Sequence, residues 1–150
     1  MFNKVLIPTD GSEISTAAAM EGIAFAADNN AAVVGIYVAP EYQYPVYVEV
    51  IPPTYPVAEE YATLMKKMGN DYLQPLEEAA KKTGLTYVSE VVFANSPGQA
   101  IAKAAEQHVC DLIFMGSHGR YGLGQLLLGS VTTKVLSLCH TPVMVYRKKN

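Results

Sequence analysis

The sequence predicts an α/β fold: a single domain over residues 1–150, with one open five-stranded parallel sheet and helices on both of its faces. Three observations lead there. Five short apolar runs, rich in β-branched residues and without strict polar alternation, suit strands buried on both sides. Helix-forming segments separate them in the order β-α-β-α-β-α-β-α-β, which implies parallel pairing through right-handed crossovers. The chain has 150 residues, half of them hydrophobic, enough to bury one core.

The first strand is expected over Lys4–Pro8. Asp10-Gly11-Ser12 then supplies N-cap chemistry, and an alanine-rich helix runs on to Ala27. The second strand covers residues 32–38. A long helix over residues 58–83 is spaced by Tyr61, Leu64, Met65, Met68, Tyr72 and Leu76; Pro75 should kink or divide it, and Gly84 should stop it. The third strand covers residues 86–93. Ser96 and Pro97 open the next helix as cap and first-turn residue, with apolar positions at Ala100, Ile101, Ala104 and Ala105. The fourth strand spans residues 111–116, the last helix runs from Gly129-Ser130 to about Leu138, and the fifth strand spans residues 142–146.

One connection is long. Residues 39–56 hold four tyrosines (Tyr42, Tyr44, Tyr47, Tyr55) and five prolines. Two readings stand: a proline-stiffened excursion packed by its own tyrosines, or a segment that covers a ligand or meets a partner.

Composition excludes several classes. The formal net charge of -3 offers no basic surface for nucleic acid. No stretch reaches the ~20 apolar residues that cross a bilayer, and Val5-Leu6-Ile7 is too short for a signal peptide. The expectation is a soluble cytoplasmic protein. Cys110 and Cys139 lie outside any Cys-x-x-Cys pair and read as buried packing thiols. His108, His118 and His140 lack metal-ligand spacing.

The chemistry concentrates in residues 116–130. Four glycines (Gly116, Gly119, Gly122, Gly124) fall within nine residues, at the C-terminal end of the fourth strand and before the last helix. In open α/β sheets that edge binds ligands. Glycines let the backbone approach an anion closely, successive N–H groups form a nest, and a helix N-terminus adds donors and partial positive charge. Ser130 adds a hydroxyl. Arg120 and His118 lie inside the loop and suit either phosphate contact or a passive role. A Walker loop is disfavoured, because Ser130 and Val131 stand where its lysine and serine or threonine belong.

The pattern Gly116-x2-Gly119-x9-Gly129-Ser130 resembles the nucleotide-binding signature of the ATP-binding universal stress proteins. Pro8-Thr9-Asp10-Gly11-Ser12, Tyr37-Val38 and Thr141-Pro142-Val143 match too, and the likeness covers the whole chain. The resemblance implies a Rossmann-like, adenine nucleotide alpha hydrolase-like fold that binds ATP with magnesium or manganese. It implies that Pro8, Thr9 and Asp10 line the adenosine, with Asp10 near the ribose or a metal, and that Val38 offers backbone groups to adenine. Met115 and Gly116 would pack beneath the nucleotide; Gly119, Gly129, Ser130 and Val131 would surround its phosphates. It also implies a homodimer through the edge strand Val143–Tyr146, a stress role, and a regulatory protein partner not identified by the sequence. A slow ATPase and a nucleotide-free dimeric scaffold remain as alternatives. No general base for hydrolysis stands out.

Overall fold

The computed structural model describes residues 1–46, 49–118 and 128–147. Five strands form one parallel sheet: β1 (Lys4–Pro8), β2 (Ala32–Ala39), β3 (Tyr87–Phe93), β4 (Leu112–Gly116) and β5 (Val143–Tyr146). Their spatial order is β3-β2-β1-β4-β5, with β1 at the centre and β5 at an edge. The register pairs Pro8 with Ile36, Val5 with Leu112, and Gly116 with Tyr146. The chain starts in the middle, builds outward to β3, then returns past β1 to build the other half. The sequence order therefore reverses between β1 and β4, and their C-terminal ends flank a crevice.

Alternation along the strands divides the core into two layers. Val5, Ile7, Val33, Leu112 and Phe114 pack with Ala19 and Ile23 of α1 (Glu13–Asn29) and with Leu73, Leu76 and Ala80 of α2 (Ala58–Thr83). Leu6, Val34, Ile36, Ile113 and Met115 pack on the other face with Ile101, Ala104 and Ala105 of α3 (Pro97–Gln107) and Val135 of α4 (Ser130–Leu138). Successive strand side chains point to opposite faces, so burial of both explains the unbroken apolar runs of β1, β2 and β4, whereas β3 and β5 at the two edges are only partly buried. Each fully buried aliphatic side chain contributes roughly 1.5–3 kcal/mol.

Helix termini follow local chemistry, with exceptions. Ser12 caps α1, its side chain accepting from the Ser15 amide at 3.2 Å. Asn30 and Gly84 end α1 and α2 in the left-handed region, at φ of 54° and 71°. After α3 the same turn falls on Val109, at φ 53°. A β-branched residue there is strained by about 1–2 kcal/mol. Ser96 precedes α3 as expected but makes no side-chain capping bond. Pro75 does not divide α2, which is assigned as one 26-residue helix. Leu73 and Leu76, buried against the sheet on either side of Pro75, hold the helix across the lost backbone donor.

The tyrosine-rich connection packs on itself. The Tyr42 hydroxyl donates to the Pro56 carbonyl at 2.9 Å, Tyr55 to Gln43 at 2.7 Å and Tyr61 to Pro40 at 2.8 Å. The Tyr42 ring lies 6.2 Å from Tyr55 and 5.5 Å from Tyr61. Tyr47 lies outside the described residues. Cys110 is buried as expected, and burial pushes its thiol up to about 11. Cys139 is only half-buried; both are free.

Candidate functional site

The crevice is built first from the turn that follows β1. The Thr9 amide donates to the Ile36 carbonyl at 3.0 Å, continuing the sheet one residue past Pro8. The chain then turns through Asp10 and Gly11 into α1. Asp10 Oδ1 accepts from the Ser12 amide at 2.9 Å and from the Ser15 hydroxyl at 2.6 Å. Asp10 thus shapes the turn as an Asx motif, while Ser12 is the helix cap. The Thr9 side chain is 5% exposed; its hydroxyl accepts from the Gly11 amide at 3.2 Å and lies 3.2 Å from Ser15 Oγ. The Thr9 hydroxyl is thus engaged within the turn. Gly11 itself is left-handed, at φ 75°, and a β-carbon there would collide with the Tyr72 ring of α2.

The end of β2 forms the second wall. Ladder groups alternate sides along a strand. The Val33 amide bonds toward β3, reaching Thr86 O at 2.8 Å, while the Ile36 carbonyl bonds toward β1. Val38, two residues after Ile36, therefore turns its N–H and C=O to the β1 side, beyond the last β1–β2 pairing at Pro8. A planar base with one donor and one acceptor edge is the kind of group such a pair reads.

The third wall joins β4, α4 and β5. Met115 is 5% exposed and forms part of the core floor. A β-carbon on Gly116 would lie 3.3 Å from both Ala18 Cβ and the His118 carbonyl, so the backbone there runs close to α1. The Gly116 carbonyl accepts from the Thr132 hydroxyl at 3.0 Å. Ser117, buried, donates its amide to the Tyr146 carbonyl at 2.8 Å and accepts at its carbonyl from the Gly129 amide at 2.8 Å. These bonds fix the start of α4 beside the end of β4. The N-cap of α4 is Gly129, which has no side chain with which to cap it. The first turn of a helix leaves N–H groups without intrahelical partners, and their dipoles favour an anion. Ser130, at that turn, is exposed, and Val131 is half-buried.

The expected residues Pro8, Thr9, Asp10, Val38, Met115, Gly116, Gly129, Ser130 and Val131 thus all lie on the C-terminal ends of β1, β2 and β4 or at the start of α4. Gly119 and Arg120 lie outside the described residues, as do Gly122 and Gly124. Sequence reasoning missed Tyr72, whose ring meets Gly11, and Ser117, whose main chain joins β4, β5 and α4. His118 Nδ1 lies 3.0 Å from Ser117 Oγ, and its Nε2 is buried with no partner among the described residues. Among those residues no group of three or more His, Cys, Asp or Glu gathers to hold a metal ion. No helix among them is long and apolar enough to cross a membrane.

Comparison with known proteins bears on the family and the fold. The model of the Universal stress protein family matches residues 1–147. The chain is 34% identical to Universal stress protein MJ0531 of Methanocaldococcus jannaschii, over 99% of this chain and 84% of that protein. It is 30% identical to Universal stress protein MJ0577 of the same organism, over 100% and 98%. The solved structure of MJ0577 superposes with a TM-score of 0.75 over 100% of this chain and 99% of that one. A universal stress protein solved in complex with cAMP shares the fold at TM-score 0.67 and 23% identity, covering 97% of each chain.

Proposed function

This chain belongs to the universal stress protein family, and from that premise we propose that it is an ATP-binding regulatory stress-response protein, a nucleotide-dependent switch rather than a turnover enzyme. The observation that carries this reading is the meeting of three features at one sheet edge. They are the Asp10 turn after β1, the β1-facing main chain of Val38, and the glycine-capped start of α4. The spacing Gly116-x2-Gly119-x9-Gly129-Ser130 supplies the fourth.

In this reading Val38 pairs with adenine through its backbone, and Pro8, Thr9 and Asp10 border the adenosine. Met115 and Gly116 form the floor. Gly119, Arg120, Gly129, Ser130 and Val131 surround the phosphates, with Ser130 donating its hydroxyl. Magnesium or manganese enters with the phosphates, since divalent ions of this class rely on substrate oxygens and water. The residues fit that role: Asp10 is the carboxylate at the crevice, and the α4 amides suit a polyanion. Selective action as a switch implies a protein partner in the cytoplasm. A homodimer would form through β5, which among the described residues is an edge strand, with Met144 36% exposed.

Calorimetric titration with ATP, with and without magnesium, tests the proposal. Saturable binding of one nucleotide per chain is expected, with turnover far below the ~1–10³ per second of ordinary enzymes. Gly129→Val should abolish binding while preserving helical content by circular dichroism. Absence of binding heat with any adenine nucleotide would remove the reading, and rapid hydrolysis would convert it to an enzyme.

A further inference from the structure

Gly11 poses a physical question that its own chemistry leaves open. Glycine populates positive and negative φ about equally, yet Gly11 sits at φ 75° in the turn that carries Asp10. Something outside the residue must select that state. One contributor is the Thr9 hydroxyl, which receives the Gly11 amide at 3.2 Å. The other is an aromatic ring from a distant part of the chain. Tyr72, on α2, lays its Cγ, Cδ1 and Cε1 atoms over the place a Gly11 side chain would occupy. The same ring meets Tyr37 edge-on, with centroids 5.2 Å apart and planes at 85°. Tyr37 is 8% exposed and immediately precedes Val38.

We propose that Tyr72 is a positioning residue for the adenosine side of the crevice: its ring locks Gly11 in the left-handed turn and so fixes the Asp10 carboxylate, while its edge contact with Tyr37 holds the end of β2 against that turn. The proposal rests on the ATP-binding reading above. The contact differs from ordinary core packing, because on one side the ring meets backbone rather than an apolar side chain. Its effect is steric. With the ring present, the Gly11 peptide has no room to swing; without it, glycine regains its freedom. The Asp10 carboxylate, held by the Ser12 amide at 2.9 Å and the Ser15 hydroxyl at 2.6 Å, then loses the backbone frame that presents it. The wall formed by Val38 shifts with Tyr37.

The test compares ATP affinity by calorimetry in the wild type, Tyr72→Phe, Tyr72→Leu, Tyr72→Met and Leu76→Val. Leu76 lies one turn further along α2 in the same core layer, while the atoms nearest a Gly11 β-carbon are those of the Tyr72 ring. It controls for general loosening of that helix. Tyr72→Phe keeps the ring and should bind ATP within about threefold of wild type. Tyr72→Leu and Tyr72→Met should each weaken binding tenfold or more, whereas Leu76→Val should bind as wild type despite a lower melting temperature. Amide resonances of Asp10 and Gly11 in the nucleotide-free protein should broaden or shift in the Leu and Met variants and stay in place in Phe and Leu76→Val. That second readout needs no ligand. If the wild type binds ATP and the Leu and Met variants bind equally well, or if Leu76→Val loses as much, the positioning role is overturned. If the wild type binds no adenine nucleotide, the ATP reading itself falls, and with it this proposal.

Discussion

Adding one methyl group at Gly11 puts the β1–α1 turn under direct strain, and the cost can be worked from the structure. The backbone there is at φ 75°, and an L-residue in the left-handed region costs about 1–2 kcal/mol. Alanine restricts the unfolded chain more than glycine does, which returns about 0.4–1 kcal/mol. The new β-carbon would also overlap the Tyr72 ring, which cannot swing outward freely because Tyr37 stands against its other side. Overpacking of that kind costs about 1–3 kcal/mol. Gly11→Ala should therefore destabilise the fold by about 2–4 kcal/mol. At about 2–4 °C per kcal/mol for a domain of this size, the melting temperature should fall by roughly 5–15 °C. Urea denaturation followed by circular dichroism measures the loss directly. A double-mutant cycle with Tyr72→Leu separates the two causes. In the ring-free background the added methyl should cost about 1 kcal/mol, the backbone part alone. A Gly11→Ala protein within 0.5 kcal/mol of wild type would refute the reasoning, as would an equal cost in both backgrounds.

Three further outcomes are expected. Val109→Gly should raise stability by about 0.5–1 kcal/mol by thermal denaturation, since relief of the left-handed strain exceeds the entropy glycine loses on folding; a fall in melting temperature would contradict it. The Cys110 thiol, raised by burial to about 11, stays protonated in the folded state after the unfolded thiol has ionised near 9. The unfolded chain then binds fewer protons, so stability falls as pH climbs from 9 to 11, by about 3 kcal/mol for Cys110, and Cys110→Ala should flatten that slope in urea titrations. Ser130→Ala should weaken ATP binding by about 1.5–3 kcal/mol, the worth of one hydrogen bond to a charged group, and unchanged affinity would take Ser130 out of the phosphate site.

The central strands were legible because both of their faces are buried. Val5-Leu6-Ile7 and Ile113-Phe114-Met115 must be apolar at every position, and such runs stand out from the helices between them. The crevice was legible as a place, from the strand order and from the glycines that end β4 and begin α4. What stayed hidden depends on contacts distant in sequence. Pro75 reads as a helix breaker, and only the burial of Leu73 and Leu76 on either side explains the continuous α2. The Thr9 hydroxyl turns back onto Ser15 and Gly11, contacts that no spacing in the sequence announces. Tyr72 read as one more apolar position on a helical stripe, since nothing in its spacing says that sixty-one residues earlier a glycine awaits its ring. Val109 hides the helix end it makes, because that conformation is normally announced by glycine or asparagine.

Ser117 bears on how the two proposed events, nucleotide binding and self-association, would relate. Its amide is spent on Tyr146 at the sheet margin and its carbonyl on Gly129 at the mouth of α4. A single residue thus stands between the strand where a second copy would add its own and the amides that would grip a polyanion. Whatever free energy a bound nucleotide transmits through that residue to self-association, self-association must return in equal measure to nucleotide affinity. Occupancy and assembly would then be two readings of one equilibrium, and protein concentration alone would tune how tightly the crevice holds its ligand.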